Sequence, residues 1–383
     1  MRVLVLGGRA PVALDHARRF AAQGSTVYVA DSVPCRITSY GRAVAETFRL
    51  PPPRFSADQF AKELARIIRQ RHIDLVLPTC EEVFYVSRLR HYLPSQCSVF
   101  AAPFEQLKEL HSKLRFLKLA ADCGADIPAS ACVTNIREAI AWSEGRPVVL
   151  KPEFSRFGVY VRLYPDGMPA NSAELIQAGN WVVQDFCTGR EICSYSVAVA
   201  GVVTAHVEYE PRYRIARSSS FYFDPCSAPG VRDFIDRFVR KTSFTGQISF
   251  DWIIGRDDRI SVLECNPRAI SGLHLFDTLD PLPAAISGEA GRCVTPRHGK
   301  PKMHSAVMLS VGLFAAIRTR RLGEWLGDWR RASDVLLDKG EIAPTLGGLL
   351  DMASHSLRAL SQNCSVREAS TRDIEWDGQE VPL

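Results

Sequence analysis

The 383-residue chain is too long for one typical domain, so two or three structural units are expected. Its 46% hydrophobic and 23% charged content is ordinary for a soluble globular enzyme. The net charge of +5 is spread along the sequence, and the densest basic cluster, Arg318-Thr319-Arg320-Arg321 ahead of Trp325 and Trp329, reads as a solvated helix face rather than a surface for nucleic acid or an acidic membrane.

Eleven cysteines stand singly, with no CxxC pair and no knot-like spacing. Reduced thiols in a cytoplasmic setting fit this better than a disulfide framework or a zinc site. The chain opens directly into a predicted strand at residues 2–6, leaving no room for a signal peptide. The most apolar run, residues 305–316, is too short to span a bilayer and is expected to form a buried strand or helix.

Residues 3–6 read as a strand, followed by Gly7-Gly8 and a helical pattern over 11–23; a second strand, 26–30, ends at Asp31. This opens a doubly wound α/β unit. Asp31 is placed to meet a dinucleotide ribose, yet the turn Gly7-Gly8-Arg9-Ala10-Pro11-Val12-Ala13 lacks the third glycine of GxGxxG. A Rossmann-like fold without a nucleotide is therefore favoured. A helix over 56–70, started by Ser56 and Asp58, leads to a strand at 75–77. The loop Pro78-Thr79-Cys80-Glu81-Glu82 then falls at a strand's carboxyl end, where such sheets have their crevice. Glu81 and Glu82 either line a site there or only cap the next helix.

A helix is expected over 105–123, and Lys113 on it, taken alone, faces solvent. The strand 148–150 ends in Lys151-Pro152, an unusual place for a lysine unless it serves as a phosphate-binding charge. Strands follow at 182–186 and 192–200, and a hairpin of 248–254 with 260–264 surrounds Gly255-Arg256-Asp257-Asp258. From about residue 318 the pattern is mostly helical, closing with Asp373-Ile374-Glu375-Trp376-Asp377-Gly378.

The hairpin carries the chemistry. Alternate residues of a strand share a face, so Glu264, Asn266 and, if the strand continues past Pro267, Arg268 point the same way. A two-residue turn at Asp257-Asp258 sets Asp251 opposite Glu264, with Cβ atoms ~5 Å apart, where like charges destabilise. Two compensations are open. One is a divalent cation held by Asp251, Glu264 and Asn266, an all-oxygen set suited to Mg²⁺ or Mn²⁺ with substrate phosphates. The other is a solvated face on which Arg259 and Arg268 neutralise the acids.

In this order, these residues resemble the ATP-grasp superfamily, in the branch similar to the large subunit of carbamoyl phosphate synthetase. The resemblance covers about residues 1–295 and rests most on Gly246-Gln247-Ile248-Ser249-Phe250-Asp251 followed by Leu263-Glu264-Cys265-Asn266-Pro267-Arg268. It implies an α/β and α+β architecture: a Rossmann-like unit over 1–104, a small lysine-bearing unit over 105–185, a larger antiparallel-sheet unit with the metal site over 186–295, and a helical extension over 296–383. It further implies that Lys113 and Lys151 hold the ATP phosphates. Within Val183-Gln184-Asp185-Phe186, Gln184 or Asp185 would meet the adenine amino group and the Phe186 backbone its ring nitrogen. Glu191 would bind the ribose, Asp251, Glu264 and Asn266 would hold Mg²⁺ or Mn²⁺, and Arg268, with Lys151, would serve phosphoryl transfer. One departure is that the loop Glu153-Phe154-Ser155-Arg156-Phe157-Gly158 is poorer in glycine than the family's phosphate-covering loops, leaving Arg156 as a candidate phosphate contact.

Arg212, Arg214 and Arg217, just before Phe221-Tyr222-Phe223, are candidates for clamping an anionic substrate group, Arg214 and Arg217 being preferred; the alternative is a solvated loop. Ser271, Gly272 and His274 follow Arg268 and are expected to line the acceptor pocket, His274 as a candidate general base. The expected activity is ATP-dependent ligation of a small carboxylic acid to an amine or amino acid through an acyl phosphate. A small-molecule kinase and a nucleotide-binding module without turnover are the rivals. Neither nucleic acid nor membrane is an expected partner. The tail beyond about residue 296 is expected to cover the active-site mouth or to make a homodimer interface.

Overall fold

The structure is a computed structural model describing residues 1–155, 160–175, 179–215, 219–337 and 341–381, the side chain of Arg367 excepted. Its first sheet has strands β1 (Arg2–Leu6), β2 (Thr26–Asp31), β3 (Glu46–Arg49), β4 (Leu75–Leu77) and β5 (Ser98–Val99), all parallel in the order β3-β2-β1-β4-β5. Its central strands are continuous apolar runs because helices cover both faces. Strands β1 and β4 end side by side at the crevice. A Cβ on Gly7, whose φ is +77°, would stand 2.5 Å from Thr79 Oγ1, so only glycine fits that turn.

The second sheet is antiparallel and small: β6 (Ser130–Val133), β7 (Val148–Pro152), β8 (Arg162–Tyr164) and β9 (Trp181–Asp185), in the order β6-β9-β7-β8. Val133, Val148, Leu150, Trp181 and Val183 form its own core. The third sheet contains β10 (Arg190–Val199), β11 (Val202–Ile215), β12 (Ser219–Cys226), β13 (Gly246–Ile254), β14 (Ile260–Asn266), β15 (Lys302–Met303) and β16 (Ser333–Asp334), in the order β14-β13-β10-β11-β12-β15-β16. Its far edge is therefore supplied by the tail.

Two expectations need correction. The helix over 105–123 is two helices, Phe104–His111 and Lys113–Asp122, broken where Ser112 turns extended and caps the second by accepting from the Arg115 N–H at 3.2 Å. Residues 305–316 are helical but not buried throughout: Leu309 and Phe314 are 51% and 68% exposed. The tail is the helical extension expected, with a return at its end. After the helix Ala343–Gln362, residues 370–381 return to the crevice of the first sheet. The Arg318–Arg321 cluster does face solvent, and all eleven cysteines are free thiols. Among the described residues no helix is long and apolar enough to cross a membrane.

Candidate active site

Asp251 and Glu264 do stand opposite each other, for a reason different from the expected one. The turn holds three residues, 256–258, closed by the Gly255 N–H donating to Arg259 O at 2.9 Å with Asp258 left-handed at φ 59°. That odd residue shifts the register by one. A bulge at Leu263 shifts it back, so Trp252 pairs with Val262 while Asp251 still pairs with Glu264 and Ser249 with Asn266. The strand ends at Asn266. Beyond Pro267 the chain folds back, the Arg268 N–H donating to Asn266 O at 2.8 Å and Arg268 Nη2 to Asn266 Oδ1 at 3.0 Å. The Arg268 side chain thus joins the acids by a turn rather than by strand alternation.

Charge around the pair is arranged to tolerate it. Burial and the neighbouring Glu264 push the Asp251 carboxyl up to about 7, high enough for the two acids to share a proton. Glu264 is lowered despite burial, because Lys113, Lys151 and Arg268 surround it. Cys193, directly across β10 from Asp251, is hydrogen-bonded to that acid. Asp251, Glu264 and Asn266 all remain partly accessible, as ligands for an arriving ion must be.

Both lysines are buried and converge from separate elements. Lys151, at the end of β7, donates to Gln184 Oε1 on the adjoining β9 at 2.9 Å. Lys113 is not solvent-facing: the break at Ser112 turns it inward, where Nζ donates to Ser155 O and Oγ, both at 3.1 Å. Burial pushes its ammonium down to about 8, with Glu264 opposing. Glu153 anchors this junction, accepting from Ser112 Oγ and from Asn180 Nδ2. Two buried cations thus face a pair of carboxylates across a cleft, with a third cation, Arg268, at one end.

No protein-family model matches the sequence, and no curated protein matches it. Solved structures do. An N5-carboxyaminoimidazole synthetase from Staphylococcus aureus complexed with ADP is similar with a TM-score of 0.59 at 15% identity, over 78% of this chain and 80% of that one. A biotin carboxylase from Campylobacter jejuni has a TM-score of 0.60 at 13% identity, over 76% and 71%. An L-amino acid ligase from Bacillus licheniformis has 0.54 at 12% identity, over 75% of each chain. All are ATP-grasp structures. This chain has the ATP-grasp fold. Identities this low establish the architecture, not the substrate.

On the ATP-grasp scaffold the remaining expected residues divide. Glu191 and Arg214 form an ion pair beside Asp251, so Arg214 belongs to the same cleft as the acids. Gln184 is buried and held by Lys151 and Ser130, whereas Asp185 turns outward to Arg146. The Phe186 N–H is already spent on Pro147 O at 3.0 Å, so it is not free for an adenine ring nitrogen. Arg156 and Arg217 lie outside the described residues.

Three acceptor-side expectations are overturned. Arg212 is consumed by Asp224, Glu324 and Asp328 at 3.2, 3.1 and 2.9 Å, tying β11 to the tail helix Leu322–Arg331. His274 is buried with Nδ1 2.6 Å from Asp15 Oδ2 and serves as a tie to the first sheet's helix Pro11–Ala22, not as an open general base. Gly272 packs against Tyr195 and Tyr209, where a Cβ would stand 2.6 Å from Tyr195 Cβ. Ser271 alone of that group remains partly exposed.

The dinucleotide acid is also spoken for. Asp31 is paired with Arg9, whose Nη1 and Nη2 also donate to Asp373 Oδ1 and Oδ2 at 2.7 and 2.8 Å. The two glutamates of the crevice loop take different partners, and neither side chain caps the helix Glu82–Arg88. Glu82 Oε1 accepts from the Thr79 and Cys80 N–H groups, whereas Glu81 is fully buried 3.9 Å from Arg268 Nε and accepts from the Trp376 N–H at 3.2 Å. Glu81 and the returning tail are the site neighbours the sequence did not assign. The acid pair in the crevice loop was a signal for the first; the second had none.

Proposed function

We propose that this protein is an ATP-dependent carboxylate–amine ligase that joins small molecules by an amide bond, releasing ADP and phosphate. The carrying observation is the Asp251–Glu264 pair, enclosed by Lys113, Lys151 and Arg268 on an ATP-grasp scaffold. The donor set fits Mg²⁺ or Mn²⁺, being all oxygen and partly open. Asp251, Glu264 and Asn266 would hold the cation, which would supply charge neutralisation for the nucleotide phosphates. Among the described residues no cluster of three or more His, Cys, Asp or Glu offers a rival centre.

In this reading Lys113 and Lys151 hold the nucleotide phosphates and Arg268 neutralises the transferred phosphoryl group. Glu191 faces the ribose, and Arg214 beside it steadies charge at the same cleft. Gln184, fixed by Lys151, approaches the adenine. A substrate carboxylate attacks the γ-phosphorus as the bond to the β–γ bridging oxygen breaks and ADP leaves. The amine nitrogen then attacks the acyl carbon and phosphate departs. One similar structure is a carboxyaminoimidazole synthetase and another an amino acid ligase, which favours small acids and amines here. Incubation with MgATP and a panel of carboxylic and amino acids tests the reading. Amine-dependent phosphate release supports it, an amine-independent phosphoester points to a kinase, and binding without ADP formation to a module.

A further inference from the structure

The helix Ala343–Gln362 is amphipathic in the inverted sense. Its inner face, docked on the turn Ile37–Tyr40, consists of Pro344, Gly347, Asp351, His355 and Ala359. Gly347 sits so close to Tyr40 that a Cβ would stand 2.1 Å from its ring, which fixes the helix in place. The outer face carries leucine. Leu346, Leu349, Leu357 and Leu360 are 58, 52, 68 and 80% exposed, and Ala353 between them is exposed as well. Steps of three and four residues keep these five on one stripe. No Asp, Glu, Lys or Arg occupies a fully exposed position along this helix.

A monomer seldom leaves so continuous an apolar stripe in water. We propose that this face packs antiparallel against the same helix of a second copy, about a two-fold axis through Ala353. Three observations choose that occupant. The stripe is palindromic about Ala353, so a two-fold sets Leu346 against Leu360 and Leu349 against Leu357 of the other copy, as an isologous contact requires. The small central residue permits close helix approach. The exposed face is uncharged, so it has nothing to draw a charged partner or an anionic membrane. Ile342 and Leu350, 61 and 53% exposed, extend the apolar face beyond the stripe.

The test is the solution mass of the full chain at tens of micromolar, by light scattering after size exclusion. Twice the chain mass is expected for the native protein. The double variant Leu349→Asp with Leu357→Asp should be monomeric with an unchanged circular-dichroism spectrum, each change weakening association at least about tenfold. In an otherwise native background, Ala353→Cys should give a 353–353 cross-linked peptide by mass spectrometry on oxidation. A monomeric native protein, a dimer indifferent to the double variant without the 353–353 link, or a monomer that sediments with phosphatidylcholine vesicles would each overturn the proposal.

Discussion

Asp251 and Glu264 are held nearer than two carboxylates would settle without help, and the structure meets the cost with a shared proton and three flanking cations. Asp251→Asn keeps the shape and the donated hydrogen bond. It should leave chemical-denaturation stability unchanged or raise it by up to about 1 kcal/mol, while MgATP-dependent turnover falls at least ~100-fold. A large loss of stability would show that the pair is structural. Glu81 acts one step back, as a buried carboxylate beside Arg268. Glu81→Gln should lower kcat roughly tenfold with KM for ATP unchanged, because it touches the arginine and not the nucleotide. A raised KM with native kcat would place Glu81 elsewhere.

At the scale of elements, two devices set the site. The first is the break at Ser112, which turns Lys113 from an exposed helical position into a buried one. Ser112→Ala removes the cap and the bond to Glu153; a cost of about 1 kcal/mol in stability and a raised KM for ATP are expected. The second is the tail. Trp376 is buried among Phe84, Phe104 and Phe154, with ring centroids 5.0, 5.5 and 5.1 Å away. Gly378, at φ +93°, lies against Phe154, where a Cβ would stand 2.5 Å from the ring. Asp373 locks this strap to Arg9. Burial alone would raise its carboxyl, but the hydrogen bonds and charge of Arg9 prevail and lower it to about 2 from 3.8. A depressed folded value contributes stability above the unfolded pKa and loses it as pH falls, here between about pH 4 and 2, on the order of 2 kcal/mol. Denaturation at pH 7 should therefore show Asp373→Asn weaker than native by that amount, and the gap should close near pH 2. A gap that persists at low pH would deny Arg9 its role.

For the whole molecule, what sequence pattern could reach was whatever local periodicity encodes. The parallel first sheet, the acid hairpin and the Lys151 strand end were legible, because alternation and turn residues mark them. The Asp251–Glu264 pairing came out correctly although a three-residue turn and a bulge each moved the register and cancelled. The losses are long-range. His274 looked like a base until Asp15, on the other side of the chain, claimed it, and Arg212 looked like a clamp until the tail supplied two of its three carboxylates. Nor could composition reveal that residues 370–381 return to the crevice, since Trp376 and Glu81 meet across 295 positions of sequence. One arrangement of charge underlies the proposed chemistry. A crystal grown with Mn²⁺ and a non-hydrolysable ATP analogue, read by anomalous scattering, tests it most directly. A manganese peak bridging the Asp251 and Glu264 oxygens and the analogue's phosphates is expected; nucleotide density with no metal between those two carboxylates would contradict it.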